Sequence, residues 1–535
     1  MDRNDYETIV VGGGIAGLTA AVYLARAGQK VLLIEKNNEC GGLVSSFNRD
    51  GFHFDAGVRA LEDAGIIRPM LHELGINLEF VRSPVSVGVE DVIINIENEN
   101  SIENYKNMLK KLYPESGEDI DRIIIEIKKI MKDMEVLYGI ENPVFNDLKH
   151  DLSFVFEKIV PWFPKFLWTV RKINRMNMPI EVYLKNITNN QSLIDIISQH
   201  FFKNTPAFFA LSYFSLYLDY IYPKGGVGRL SEAMLKKLIE YGGEIKTTTK
   251  IVDVIADENL LRDHNGNVYK YGNLIWAADS KTLYRNVKIG KFPLKIQRRI
   301  EDRKRLLLNN RGGDSVFTLF LEVDEPLESF RKIAHGHFFY TPSKKGLGDI
   351  HRQELYDLLK NFAKIEKQNI LSWLDRFIKF NTYEISIPGL KDPELVPQAK
   401  TGLIISFLTE YDLFKKVQDA GWYEEFGIEI EERILNVISN SVYPMLKKKV
   451  IRHFSFTPLN IENRVGSSEG AITGWAFQEH MPVISKIQSS ARAVLTPIPS
   501  VFQAGQWVYS PAGVPMSILT GKLAANKVLK KKNKA

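Results

Sequence analysis

Three observations in the sequence predict an α/β fold in which a parallel sheet is interleaved with an α+β lobe and a helical insertion. Residues 9–36 set a glycine-rich turn and an alanine-rich stretch between two apolar runs. Residues 222–279 carry a glycine turn, a helical pattern and several short strand-like runs, and residues 500–531 return to strand, glycine and helix. The stretches between these blocks have other patterns, so the lobes share the chain in alternation.

The first block reads element by element. Residues 8–11 form a short buried strand, residues 15–27 a helix of small and apolar side chains stopping before Gly28, and residues 30–35 a second parallel strand. Gly12, Gly14 and Gly17 stand between strand and helix in G-x-G-x-x-G spacing. The first glycine permits the tight turn, the second lets the backbone approach a pyrophosphate, and the third allows helix and sheet to pack closely. The unpaired N–H groups at the helix start, Ala16 among them, face the phosphates with the positive end of the helix dipole. Glu35 ends the second strand, where a carboxylate accepts hydrogen bonds from both ribose hydroxyls, with Lys36 beside it. The block is a Rossmann-like dinucleotide site.

The next residues bear on which dinucleotide. The segment "KNNECGGLVSSFNRDGFHFDAG", residues 36–57, adds a second glycine pair, Gly41 and Gly42, and an Asp55-Ala56-Gly57 turn that a nicotinamide dehydrogenase does not require. It resembles the FAD-containing amine oxidase superfamily, and within it the phytoene desaturase, carotenoid isomerase and retinol saturase branch. "YPKGGVGRLSEAMLKKLIEYGGEIKTTTKIVDVIADENLLRDHNGNVYKYGNLIWAAD", residues 222–279, resembles that branch's central block. Its own pattern agrees: helical spacing over 230–241, a Gly242-Gly243 stop, and an Asn265-Gly266 hairpin turn in a three-stranded meander. The closing block, "SVFQAGQWVYSPAGVPMSILTGKLAANKVLKK", residues 500–531, resembles the family's last flavin segment. A strand over 501–504 meets Gly505, and Gly513, Val514 and Pro515 lead into a helix over 516–529, whose start can present N–H groups to the flavin.

The resemblance implies a glutathione-reductase-like, two-dinucleotide architecture holding FAD. It places Ile251 where the family's backbone touches adenine. The cofactor residues it implies are Gly12, Gly14, Ala16, Gly17, Glu35, Lys36, Gly41, Gly42, Ile251, Gly505, Gly513, Val514 and Pro515. Residues 1–100, 222–285 and 486–535 make the FAD-binding domain, 101–221 a helical insertion facing substrate and membrane, and 286–485 a substrate-binding domain. Specific resemblance covers about a third of the chain. Leu43 follows the double glycine where the branch often has Arg or Ser, Cys40 replaces a frequent Pro, and Gln506-Trp507 follows Gly505 in place of small or acidic residues. No cysteine lies near the C-terminus for a covalent flavin link, so the FAD is expected to be noncovalent.

Composition sets outer bounds. The 535 residues are 44% hydrophobic and 25% charged, globular values with room for several domains. A formal charge of +6 is too small to point to nucleic acid, and it does not oppose an anionic lipid surface. The single cysteine excludes an internal disulfide and any cysteine metal cluster. The opening "MDRNDYETIVV" is acidic and enters a strand at once, unlike a signal peptide. The apolar stretch 204–218 is shorter than the roughly 20 residues of a spanning helix. The expected location is cytoplasmic, with peripheral membrane contact.

Within the insertion, Ile120, Ile123, Ile124, Ile127, Ile130, Met131, Met134 and Leu137 mark one helical face, begun by a cap at Ser116. Residues 154–179 are dense in aromatics with Lys and Arg among them, which suits either a helix pair in a lipid interface or an inter-domain core. Residues 207–223 are apolar and aromatic, and the matching region of the family lines a substrate tunnel. His335 and His337, in "AHGHFFY", lack a nearby acidic or thiol partner and read as strand or loop residues, not metal ligands. The terminal LKKKNKA reads as a solvated basic tail.

No nucleophile–base motif, H-E-x-x-H pair or Walker loop is present, which leaves the chemistry to a cofactor. The expected function is an FAD-dependent oxidoreductase acting on carbon–carbon bonds of a lipophilic polyene or isoprenoid, by desaturation, saturation or isomerisation. A flavin amine oxidase and a non-enzymatic lipid-binding escort of the same fold are the alternatives. The sequence identifies neither catalytic residues nor the electron donor or acceptor; Arg59, Trp475 and Tyr509 are placed near the reacting region without a role.

Overall fold

The computed structural model describes residues 5–146 and 151–532. The N-terminal four residues and the end of the basic tail, 533–535, lie outside them. The first sheet has eight strands. Asp5–Val11 lies inside it, parallel to Val31–Ile34 on one side and to Val268–Trp276 on the other, with Val10 opposite Leu33 and Ile275. Glu244–Lys246 extends one edge, and Val501–Gln503 returns from the far end of the chain to pair in parallel with Val268–Trp276. The expected meander is Ile251–Ile255, Leu260–Asp263 and Val268–Trp276, antiparallel in sequence. Its hairpin is tied by Asp263, which accepts from the N–H groups of Asn265 and Asn267 and from the Tyr269 hydroxyl.

Three helices cover one face of this sheet: Ile15–Arg26, Gly228–Glu240 and Val514–Lys532. Small side chains allow the first and last to touch backbone to backbone. A Cβ added at Gly521 would stand 2.4 Å from the Ala16 carbonyl oxygen, so only glycine fits the crossing.

The second sheet runs in the order Val450–Phe456, Ser315–Val323, Thr401–Thr409, Tyr383–Ser386, His337–Thr341, Val85–Val89 and Val92–Ile96. All pairs are antiparallel except His337–Thr341 with Val85–Val89. Residues 85–96, grouped by the sequence with the nucleotide segment, thus hydrogen-bond into this sheet. The period of two sorts its faces. Phe317, Leu319, Phe338, Tyr340, Tyr383, Ile385, Leu403 and Ile405 bury one face against helices Lys367–Phe380 and Tyr423–Ser441. The alternate residues turn the other way, toward the helical insertion and the first sheet.

In the insertion, Gly117–Tyr138 buries Ile120, Ile123, Ile124, Ile127, Ile130, Met131 and Met134, each worth about 1.5–3 kcal/mol of burial. Ser116 occupies the cap position, but its hydroxyl accepts no bond from this helix; it receives Asn190 Nδ2 at 3.0 Å, because the 3₁₀ turn Pro114–Ser116 already leads the chain in. Residues 152–173 are one continuous helix, Leu152–Phe154 passing through a π-turn at Val155–Ile159 into Val160–Ile173, and not a helix pair. Its inner side is held by Trp162 Nε1 on the Val136 carbonyl and by Lys172 on Asp133, both at 2.5 Å. On its outer side Leu152, Phe156, Val160, Phe163 and Leu167 follow at spacings of four, four, three and four, with Trp168 next to them, and all six are exposed.

Candidate functional site

The glycines of three distant segments meet at one place. Gly12 takes φ +108° in the turn after the first strand. Gly41 pairs with Gly14 as an isolated parallel bridge, its N–H donating to the Gly13 carbonyl at 2.8 Å. A Cβ on Gly42 would stand 3.4 Å from the Gly14 Cα. Gly505, at φ +96°, comes within 3.3 Å of the Ala16 methyl by the same measure, and its N–H is held by Thr520 Oγ1 at 3.0 Å. Gly513, Val514 and Pro515 begin the last helix, whose first closing bond runs from Ser517 N–H to the Gly513 carbonyl.

The glycines have different reasons to be glycine. A Cβ on Gly17 would meet the Gly12 carbonyl oxygen at 1.9 Å, so this residue packs against the turn itself more than against the sheet. A Cβ on Gly14 would meet nothing within 4 Å. That open space lies in front of the helix start, whose first N–H groups have no intrahelical partner, and it is where a pyrophosphate fits.

Glu35 is buried and braces the turn: Oε2 accepts the Gly13 N–H at 2.6 Å and Oε1 the Asn37 N–H at 2.9 Å. Each oxygen keeps a second lone pair for a ribose hydroxyl. The side chain of Lys36 turns to the Asn463 carbonyl at 2.7 Å and does not join the glycines. Thr249 N–H donates to the Glu35 carbonyl at 2.9 Å, which brings the strand beginning at Ile251 beside the ribose acid. Burial, and then Glu35, push the Cys40 thiol up to about 12.

From this cradle a connected set of polar contacts leads to the second sheet. Val58 N–H donates to the Leu43 carbonyl, tying the segment after Gly57 to the double glycine. Asp55 accepts from Tyr222 OH at 2.8 Å, Ser46 Oγ at 2.9 Å and Val227 N–H at 3.1 Å, joining that segment to the central block. Arg59 is buried, with Nη1 on the Asp55 carbonyl and Nη2 3.4 Å from Ser406 Oγ. Lys391 Nζ donates to the Arg59 carbonyl at 2.7 Å and to Ser386 Oγ at 2.9 Å. Burial draws this ammonium down to about 8. His337 Nε2 lies 3.0 Å from Glu384 Oε1.

Beyond His337 the surroundings become apolar. Phe339 packs at ring-centroid distances of 5.2 Å from His337, 5.3 Å from Tyr217 and 5.5 Å from His200. Phe339, Tyr217 and His200 border a cavity of about 60 Å³ whose walls include Tyr105, Met108, Ile127, Leu211 and Phe214, with His200, Thr341 and Thr382 as polar members. Residues 207–218 of the aromatic stretch supply much of its wall, on helix Ala207–Asp219. Burial pulls His200 down to about 4, so its imidazole is neutral.

Some placements differ from expectation. Trp475 is enclosed in the core, edge-on to Trp507 at 4.9 Å with Nε1 on the Trp507 carbonyl, and offers no free ring face. Tyr509 is buried with its hydroxyl 3.2 Å from the Ser485 carbonyl. His335 and His337 do have acidic partners, Glu97 at 3.4 Å and Glu384 at 3.0 Å, brought from distant parts of the chain. Among the described residues no group of three His, Cys, Asp or Glu side chains is arranged for a metal. Sequence reading passed over Glu384, Lys391 and Gly521. Only Gly521 carried a local signal, since a helix-interior glycine costs about 1 kcal/mol and needs a packing reason.

Comparison with known proteins agrees with this geometry. Residues 10–74 match the NAD(P)-binding Rossmann-like domain family. Nearly the whole chain aligns with two curated proteins. All-trans-retinol 13,14-reductase of Danio rerio is 22% identical, over 99% of this chain and 86% of that one. 4,4'-Diapophytoene desaturase of Staphylococcus haemolyticus is 22% identical, over 97% and 98%. Over nearly its whole length the chain is thus similar to a polyene reductase and a polyene desaturase. A putrescine oxidase structure shares the fold, with a TM-score of 0.58 and 13% identity over 98% of this chain and 99% of that one. The cofactor of this desaturase-like protein is a flavin, and the residues present fit one: a space at Gly14 that a side chain would fill, unpaired helix N–H groups facing it, and a buried acid at the ribose position. Flavin supplies hydride exchange with carbon, and the desaturase-like chain supplies position and a dry wall.

Proposed function

We propose that this protein is an FAD-dependent oxidoreductase that forms, saturates or isomerises carbon–carbon double bonds of a long apolar polyene or isoprenoid, with FAD held noncovalently by the residues named above other than Lys36, whose side chain is turned away. The observation that carries the reading is the chain of contacts from the segment after the double glycine through Asp55, Arg59 and Lys391 to the sheet face whose Phe339 helps wall a cavity of aromatic and aliphatic side chains. The relatives' names, a retinol reductase and a diapophytoene desaturase, support a polyene as the substrate.

A long polyene is stored in lipid, and the exposed stripe Leu152, Phe156, Val160, Phe163 and Leu167 offers the chain a way to reach it. Lys158, Lys165 and Arg171 border the stripe and suit anionic headgroups. Among the described residues no helix is long and apolar enough to cross a membrane, so the contact we propose is peripheral. Purification should give a yellow protein whose FAD is released intact by acid precipitation. Anaerobic mixing with 4,4'-diapophytoene should bleach the oxidised flavin, or mixing the reduced protein with all-trans-retinol should restore the colour, and putrescine should do neither. A colourless protein that cannot be reconstituted, or one bleached by putrescine alone, would refute the reading.

A further inference from the structure

Glu384 is an acid in an unlikely place. Its strand, Tyr383–Ser386, is interior to the second sheet, paired with His337–Thr341 on one side and Thr401–Thr409 on the other. The sheet face it stands on is covered by helix Ala207–Asp219, whose Tyr217 packs on Phe339, the residue opposite Glu384. Its side chain is nonetheless 34% accessible, so what it faces is internal free space over the sheet. Neighbours on that face are Phe339 directly opposite and Ser406 on the next strand. Helix Ala207–Asp219 and the residue after it stand across the space, with Tyr220 5.2 Å from the His337 ring.

An ionisable group in such a wall costs stability unless it has partners and a task. Its partners come from three other elements: His337 on the adjacent strand, Arg59 after the Asp-Ala-Gly turn, and Lys391 in the following helix. Burial alone would raise the Glu384 carboxyl, but His337 and the two cations outweigh it and hold it below its ordinary value. Burial also lowers His337, so near neutral pH the imidazole is uncharged and the charges that keep Glu384 ionised are those of Arg59 and Lys391. Facing it from the helical side are Tyr213, Tyr217 and Tyr220, raised by burial, and His200, lowered by burial, all of them neutral.

Making a double bond from CH–CH removes two hydrogens. One leaves with its electron pair as hydride, to oxidised flavin; the other leaves as a proton while its C–H pair becomes the π bond. Saturation runs the same balance in reverse, with reduced flavin as hydride donor. The wall must supply a group for the proton. We propose that Glu384 is that catalytic residue, taking the proton on a carboxylate oxygen in desaturation and returning it in saturation, and that His337 is a positioning residue that orients it. The inference rests on the oxidoreductase reading above and adds the proton half of its chemistry. Glu62, on the short strand Leu61–Glu62, acts on the same Tyr213 and Tyr220 and is pushed up by burial to about 7, so it is the carboxylate against which Glu384 is compared.

The test uses FAD-loaded wild type, Glu384→Gln, Glu384→Asp and Glu62→Gln, with 4,4'-diapophytoene and all-trans-retinol as probes. Glu384→Gln should keep its flavin absorbance and lose about 100-fold or more in single-turnover rate, the usual share of general acid–base catalysis. Glu384→Asp should recover part of the loss, and Glu62→Gln should stay within about fivefold of wild type. A second readout needs no turnover. In ¹³C-histidine NMR, the resonance missing from His337→Gln should titrate at lower pH in Glu384→Gln than in wild type. Equal rates in Glu384→Gln and wild type, or an unmoved His337 midpoint, would overturn the proposal while leaving the oxidoreductase reading intact. So would a loss confined to the KM for retinol, which carries a hydroxyl, since Glu384 would then bind an end group. FAD-loaded wild type that leaves both polyenes unchanged would remove the parent reading and this proposal with it.

Discussion

Two glycines three residues apart separate cofactor binding from folding, and replacing each by alanine tests the site directly. At Gly14 the backbone has φ −71° and ψ 175°, an extended conformation open to alanine, and the added methyl meets nothing within 4 Å. The ligand-free protein should therefore tolerate Gly14→Ala. Reduced freedom of the unfolded chain stabilises such a change by about 0.4–1 kcal/mol, a Tm rise of only about 1–3 °C in a protein of this size. Flavin binding is another matter, because the methyl occupies the space in front of the helix N–H groups. A 100-fold weaker Kd corresponds to about 2.7 kcal/mol, and the protection FAD gives against thermal unfolding falls by the same amount at saturation. Gly17→Ala should do the opposite. Its methyl would lie 1.9 Å from the Gly12 carbonyl oxygen, a backbone atom that cannot step aside, and the ligand-free protein should lose about 3 kcal/mol or more. Thermal unfolding with and without added FAD, together with fluorescence titration of the cofactor, reads both quantities. Wild-type FAD affinity in Gly14→Ala would refute the placement of the pyrophosphate at that space.

Two further outcomes follow from the packing. His200 is held to about 4 by burial, below its unfolded value of 6.5, so the unfolded chain binds the extra proton between those values. The stability this histidine contributes is complete above pH 6.5 and is lost as pH falls toward 4, on the order of 3 kcal/mol; His200→Gln should flatten that limb of a denaturation-versus-pH curve, and an unchanged slope would show the imidazole to be solvated. Replacing both Phe163 and Trp168 by Ser should leave the thermal midpoint within about 2 °C, since exposed side chains contribute little to folding. The same variant should lose about 10-fold or more in cosedimentation with vesicles containing anionic phospholipid; undiminished cosedimentation would argue against this face as the contact.

The nucleotide half of the protein was legible because its signals are local. Strand, Gly12, Gly14, Gly17, helix and Glu35 succeed one another within thirty residues, and each has a conformational reason readable from residue type. The ring-facing half was legible only as aromatic richness. Residues 154–179 show why: amphipathic spacing says that one side of the helix is apolar, but whether that side meets protein or solvent depends on what the rest of the chain leaves uncovered. Trp475 and Tyr509 show the same limit: proximity in sequence to the closing block did not say that both rings are buried, with Trp475 Nε1 on the Trp507 carbonyl and the Tyr509 hydroxyl near the Ser485 carbonyl.

The sequence by itself determined the α/β class, the glycine turn and the acid that follows it, because backbone dihedral freedom and periodicity are properties of neighbouring residues. Tertiary structure alone decided that Glu384 stands on an inner sheet face beside His337, with Arg59 and Lys391 behind it. Those four come from positions more than three hundred residues apart at the extremes, and only a period-of-two sheet, folded against the Asp55 turn, gives them a common space.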